Sequence, residues 1–228
     1  ADMDVRVNMH VLEAASERAD SVTQYGMDPL ERLQAHELLG PEFMAVHMVH
    51  LLEQDFERLS ESGTHVIHCP ESNMKLGNGV CPASELIAAG INVALGTDGA
   101  ASNNDLDLFS ESRTAALLAK GSTGRADVLD AWQALDMMTI GGARALGQES
   151  RLGSIEVGKA ADLCAVNVDC PEMQPLHNAA SQLVYTAASR RVSHVWVGGR
   201  LLLEQGELLT LDLERILATA AEWQSRMA

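Results

Sequence analysis

Between residues 5 and 150 the chain repeats one pattern four times: a short apolar strand, a loop, then a helix. The period is about 30 residues, and strands alternating with helices at that spacing pair in parallel, because each helix carries the chain back to the same end of the sheet. Alternation of apolar and polar residues over 5–10 predicts the first strand, with a helix from about Glu13. Residues 43–47, 64–68 and 91–95 predict the other three strands. Asp28-Pro29 predicts a capped helix running through Leu30, Leu33, Leu38 and Leu39 as far as Gly40-Pro41. Further helices are expected around 53–60 and over 83–89, 106–120 and 126–146, while the stretch ESNMKLGNGVCP reads as a long loop.

Each predicted strand ends close to a residue that can do chemistry: His10, His47, His68 and Asp98. Parallel α/β folds, and β/α barrels in particular, carry functional groups at the C-terminal ends of their strands. A single histidine there is ordinarily a hydrogen-bonded structural residue. Four successive units ending in three imidazoles and a carboxylate are the ingredients of a zinc or iron site. In His10-Val11-Leu12-Glu13 a carboxylate follows three residues after a ligand-type histidine, which suits proton transfer rather than ligation. The plainer reading places Glu13 in the first turn of a helix. In the segment GTDGAASNN the strand runs into Asp98, and small residues let the backbone pass close to a ligand. Asn103, Asn104 and Asp105 suit the cap of the following helix. A carboxylate at Asp98 suits both metal binding and acceptance of a proton from water. His68, Ser72, Asn73 and Lys75 are read as pocket-shaping or loop-supporting residues. His50 is expected in the helix after His47, and His36, His65, His177 and His194 are expected to be structural or exposed.

Charge and cysteine usage narrow the class. Sixteen basic against 32 acidic residues give a formal net charge of −16, the wrong sign for a phosphate-backbone partner, so no nucleic-acid partner is expected. No apolar run reaches the ~20 residues of a membrane span, and the opening ADMDVRVNMH lacks a signal-peptide pattern. Cys69, Cys81, Cys164 and Cys170 have no CxxC spacing, which predicts reduced thiols and a cytoplasmic protein. After Leu152 the grammar changes: GSIEVGKAADLCAVNVD reads as a strand pair, and 192–197 turns at Gly198-Gly199-Arg200 into a hairpin. A final helix is expected over 212–227, and a boundary falls near residue 150.

HVLE, AVHMVH, HCPESNMKLGNG and GTDGAASNN, in this order and spacing, resemble the amidohydrolase superfamily. Within it they are similar to the deaminases of 5′-methylthioadenosine, S-adenosylhomocysteine and adenosine, with chlorotriazine hydrolases and guanine deaminases nearby. GSIEVGKAADLCAV and HVWVGGRLL resemble the small β-sandwich attached to the barrel of these enzymes. The resemblance covers essentially the whole chain. It implies an α/β chain whose residues 1–150 supply strands five to eight of a (β/α)₈ TIM barrel. Residues 151–228 would supply the C-terminal part of the sandwich and a terminal helix. It implies one divalent metal ion, zinc with iron as the alternative, bound by His10 and Asp98. Glu13 would protonate the purine ring nitrogen, His47 would contact the attacking water or the tetrahedral oxygen, and Asp98 would also be the general base.

The function so implied is hydrolytic deamination of a 6-aminopurine nucleoside to its inosine analogue and ammonia. Guanine deamination or triazine hydrolysis is the alternative inside the superfamily, and a non-catalytic binding protein of the same fold the alternative outside it. A homo-oligomer, dimer or tetramer, with a small-molecule substrate is expected. The family's first strand carries an HxH pair, and none of the eight histidines here stands two residues from another. The expectation is therefore half a metal site, completed by a preceding segment of a protein about twice as long.

Overall fold

In the computed structural model, which describes residues 5–186 and 188–227, four short strands form one parallel sheet. They are β1 (Val7–Val11), β2 (Phe43–His47), β3 (His65–His68) and β4 (Val93–Leu95), hydrogen-bonded in the order β1-β2-β3-β4. Val7 pairs with Phe43, Met44 with His65 and Val66 with Val93. Parallel strands in unbroken chain order form a β/α-barrel wall, whereas a doubly wound sheet reverses order at a switch point. The predicted barrel units are therefore present. β2 is buried along its whole length, as a strand covered on both faces must be. β1 lies at an edge, and Asn8, Met9 and His10 are exposed there.

Among the described residues up to 145, nine helices accompany this sheet: α1 (Glu17–Tyr25), α2 (Pro29–Ala35), α3 (Glu53–Ser62), α4 (Pro70–Leu76), α5 (Ala83–Ala88), α6 (Ala100–Asn103), α7 (Leu108–Thr123), α8 (Ala131–Met138) and α9 (Ile140–Ala145). Several depart from the sequence pattern. α1 starts at Glu17 rather than near Glu13, because Leu12 turns left-handed at φ 53° and a helix cannot start through it. α2 ends before Leu38 and Leu39, where Glu37 takes φ 54°. The expected long loop after His68 holds α4, which Pro70 opens and Gly77, at φ 72°, closes. The helix expected over 126–146 is divided at Thr139 into α8 and α9. Asp107, not the Asn103–Asp105 trio, caps α7 by accepting from Phe109 and Ser110 N–H. His50 precedes α3 instead of lying in it.

The core lies between the sheet and its helices. Ala45, Val66 and Val93 of the strands meet Leu59 of α3, Leu86 of α5, Ala116 of α7 and Met137 of α8. Gly96 belongs to this packing and not to a ligand: a Cβ there would come within 2.9 Å of Ile67 Cγ2 and 3.2 Å of Cys69 Sγ. The same atom on Gly99 would meet nothing, so close backbone approach explains only one of the pair.

The remainder builds a second, antiparallel sheet of β5 (Leu163–Val166), β6 (Val192–Val197), β7 (Arg200–Glu204) and β8 (Glu207–Leu208), paired in that order. The predicted β6–β7 hairpin forms, with Gly198 and Gly199 at φ 58° and 75° supplying the positive angles that a tight hairpin turn needs. The strand pair expected over 153–169 is a single strand, β5, among the described residues. Between β5 and β6, α10 (Ala179–Tyr185) packs on α7 and α8 and puts Val184 into the main core. The last helix, α11 (Leu213–Met227), leaves Leu213, Ile216, Leu217 and Trp223 exposed. No helix among the described residues is long and apolar enough to cross a membrane. All four cysteines are free thiols, and all except Cys164 are buried.

Candidate active site

Parallel register brings the ends of β1, β2 and β4 to one place, and the backbone there turns sharply. Leu12, His47, Met48 and Asp98 all take positive φ, at 53°, 77°, 46° and 59°. Left-handed conformations in non-glycine residues cost energy and concentrate at functional sites. Here they aim consecutive side chains inward from strand ends.

Four of the predicted residues meet there. His10 Nδ1 lies 3.6 Å from Glu13 Oε2, and His10 Nε2 lies 3.8 Å from Asp98 Oδ1. His47 Nε2 is 3.6 Å from the same Glu13 Oε2. The His47 and His10 rings stand edge to face, with centroids 4.6 Å apart. Ligand-type atoms of His10, Glu13 and His47 fall within 4.8 Å of one another. These separations are too long for hydrogen bonds. Two ligands of one tetrahedral zinc, each at about 2.1 Å, stand roughly 3.4 Å apart, which the 3.6 Å His10–Glu13 and His47–Glu13 spacings match more closely than the 3.8 Å His10–Asp98 spacing. The donor set of two imidazoles and two carboxylates fits a divalent metal.

Hydrogen bonds orient Asp98, Glu13 and His47. Asp98 Oδ2 accepts from the hydroxyls of Ser102 at 2.6 Å and Ser72 at 2.8 Å, so the remaining oxygen, Oδ1, is the one facing His10. Burial would raise the Asp98 carboxyl, but the Ser102 and Ser72 hydroxyls and the Gly99 N–H outweigh it and hold the group below the usual carboxylate range. Glu13 Oε1 accepts from the amide of Asn78 at 2.8 Å, which leaves Oε2 toward the two histidines. His47 is fully buried, and its Nδ1 lies 2.8 Å from Asn73 Oδ1. His47 Nε2 is a buried polar atom without a hydrogen-bond partner among the described residues. His68 does not join the cluster. Burial and the neighbouring His47 push it down to about 4, so it stays neutral. Lys75 is exposed and ties α4 to α6 through Ala101 O and Asn104 Oδ1. His36 and His177 are exposed, His65 is half-buried against Asn92, and His194 stacks on Trp196.

Besides Ser102, two residues that hold these groups in place were not singled out by the sequence pattern. Asn78 is one. Glu17 is the other: its carboxylate accepts from the N–H groups of Leu12 at 2.6 Å, Glu13 at 2.7 Å and Ala14 at 2.8 Å. It thereby fastens the loop that carries Glu13. Its signal was an acidic residue one helical turn after Glu13, which reads equally well as a solvated face. Glu17→Gln places an NH₂ against N–H donors, and is expected to lower the unfolding free energy by about 2 kcal/mol, the scale of hydrogen bonds to a charged group. Urea unfolding of the full-length protein measures it, and a loss under about 0.5 kcal/mol would contradict the role.

The sequence profile of the amidohydrolase family matches residues 1–202. A 5-methylthioadenosine/S-adenosylhomocysteine deaminase from Teredinibacter turnerae is 46% identical over 99% of this chain and 51% of its own length. The crystal structure of an adenosine deaminase from Xanthomonas campestris with bound zinc superposes with TM-score 0.96 at 50% identity, covering 98% of this chain and 51% of that one. An atrazine chlorohydrolase from Arthrobacter aurescens, complexed with zinc, gives TM-score 0.91 at 32% identity over 96% of this chain and 48% of its own. The chain spans about half the length of the curated relatives it matches.

Proposed function

Because the chain belongs to the amidohydrolase family, we propose that it carries one side of the active site of a metal-dependent deaminase acting on a 6-aminopurine nucleoside. The substrate class is methylthioadenosine, S-adenosylhomocysteine or adenosine, and the products are the inosine analogue and ammonia. Residues 1–150 act as strands five to eight of the barrel, and 151–228 as part of the sandwich domain with its terminal helix. The observation that carries the reading is the placement of two carboxylates on either side of His10, Glu13 at 3.6 Å and Asp98 at 3.8 Å. Deamination needs both a proton acceptor and a proton donor.

His10 and Asp98 Oδ1 would hold the metal, zinc with iron as the alternative. When bound, such an ion supplies Lewis acidity that brings the pKa of an attacking water toward ~7. Asp98, its carboxylate oriented by the hydroxyls of Ser72 and Ser102, would accept a proton from the attacking water. Glu13 delivers a proton from Oε2 to the ring nitrogen beside the amino-bearing carbon, while Asn78 holds Oε1. His47 contacts the attacking water or the oxygen on the tetrahedral carbon, its ring fixed by Asn73. Carbon–nitrogen cleavage then releases ammonia, the departing amine receiving the proton that Asp98 took from water while the hydroxyl proton of the tetrahedral carbon returns to Glu13.

Four free thiols support a cytoplasmic setting, and a homo-oligomer with a small-molecule substrate belongs to the same reading. Heterocycle hydrolysis is the second reading, favoured by the 32% identity to the chlorohydrolase. A panel of adenosine, methylthioadenosine, S-adenosylhomocysteine, guanine and a chlorotriazine, tested on full-length protein by ammonia and chloride release, decides between them. Turnover of a nucleoside is expected; activity on the triazine alone selects the second reading, and no activity on any purine overturns the first.

A further inference from the structure

A fully buried glutamate lies outside the mechanism. Glu111, on the first turn of α7, is 0% exposed. Its Oε2 accepts from the backbone N–H of Glu71 at 3.1 Å, and its Oε1 accepts from the side-chain amide of Asn103 at 2.5 Å. Glu71 stands in the first turn of α4, and Asn103 is the last residue of α6. The residue after Glu71 is Ser72, and the residue before Asn103 is Ser102. These are the two serines whose hydroxyls converge on Asp98 Oδ2.

We propose that Glu111 is a positioning residue for Asp98: it ties α4 to α6 and thereby fixes the two hydroxyls that orient the Asp98 carboxylate.

The inference rests on the reading of Asp98 as metal ligand and proton acceptor. Several features make this clasp more than a filled space. The Glu71 carboxylate is itself held by α7, accepting from Ser110 at 2.5 Å and Thr114 at 2.8 Å, so α4 is fastened to α7 through both backbone and side chain. Asn103 spends its oxygen on Leu106 N–H at 2.7 Å, which leaves its NH₂ for Glu111. Burial pushes the Glu111 carboxyl up to about 8, a cost retained in a position that an apolar residue would fill more cheaply. Two N–H donors arriving from different segments need two acceptor oxygens, which the carboxyl presents fully when ionised, above about pH 8, whereas an amide supplies one at any pH.

The test is a double-mutant cycle on Zn²⁺ affinity, read by chelator competition without substrate, in full-length protein. Groups that orient a metal ligand are worth ~10–100-fold in metal affinity. Glu111→Gln is expected to weaken Zn²⁺ binding about tenfold, and Ser72→Ala/Ser102→Ala to weaken it at least as much. The combined variant is expected to bind no worse than the serine variant alone, since both act through the same carboxylate. Glu111→Gln binding Zn²⁺ within twofold of wild type, or multiplying its loss onto the serine variant, would reduce Glu111 to a brace and overturn the proposal. If Glu111→Gln does not fold, Asn103→Ser breaks the same clasp from the other end and is read by the same criteria. Wild-type protein that binds Zn²⁺ and obeys the cycle but deaminates no nucleoside sinks the proposed function alone. Wild-type protein that binds no Zn²⁺ sinks the metal reading and the inference with it.

Discussion

Asp98→Asn is expected to remove both bound zinc and turnover, with kcat falling by at least ~10³-fold, within the 10²–10⁴ that a positioned general base contributes. The proposed function gives its carboxylate two jobs, metal binding and proton acceptance. Oδ2 is saturated by the hydroxyls of Ser72 and Ser102, and Oδ1 faces His10 Nε2 at 3.8 Å. Asparagine keeps the volume and one acceptor, so the serines can still orient it. It offers no anionic oxygen opposite His10 and cannot accept a proton from water. Metal content per chain and kcat, measured on the same preparation, check this. A variant that retains zinc and a tenth of the wild-type rate would remove Asp98 from both roles.

Glu13→Gln is expected to behave differently, and the contrast is the sharper test. The amide can still accept from Asn78 through one oxygen, and the loop remains fastened by Glu17 through backbone N–H groups, which do not depend on the residue 13 side chain. Folding and zinc content should therefore match wild type. What is lost is the proton for the ring nitrogen and departing amine, so kcat should fall ~10²–10⁴-fold with KM nearly unchanged. A chloride-releasing substrate, whose leaving group needs no proton, should lose less. Unchanged ammonia release would eliminate Glu13 as the acid.

How far the sequence reached can be seen at these same residues. His10, His47 and Asp98 lie at the ends of strands whose alternation and spacing were visible, and because side chains in parallel units converge at one end, the meeting of β1, β2 and β4 ends followed from topology. The groups that hold them were not visible. Asn78 reaches Glu13 across 65 positions, and Glu111 reaches Glu71 across 40. Neither separation leaves a local pattern. The stretch after His68 is rich in polar residues and a glycine pair, so it reads as a loop, whereas packing against α6 and α7 makes it α4. Glu13 itself moved from an expected first helical turn into a loop, because the left-handed Leu12 and the Glu17 carboxylate together outweigh local helix propensity.

By itself, then, the sequence determined the parallel order of the strands, the identity of the four groups at their ends, and the net acidity of the chain. These are consequences of periodicity and composition, which are local. Only the tertiary structure decided which oxygen of Asp98 and of Glu13 is free, that His68 stands apart, and that a buried glutamate bridges Glu71 and Asn103, the chain neighbours of the two serines. Those are settled by hydrogen bonds between segments far apart in the chain, and geometry of that kind exists only once the sheet has brought them within 3 Å of one another.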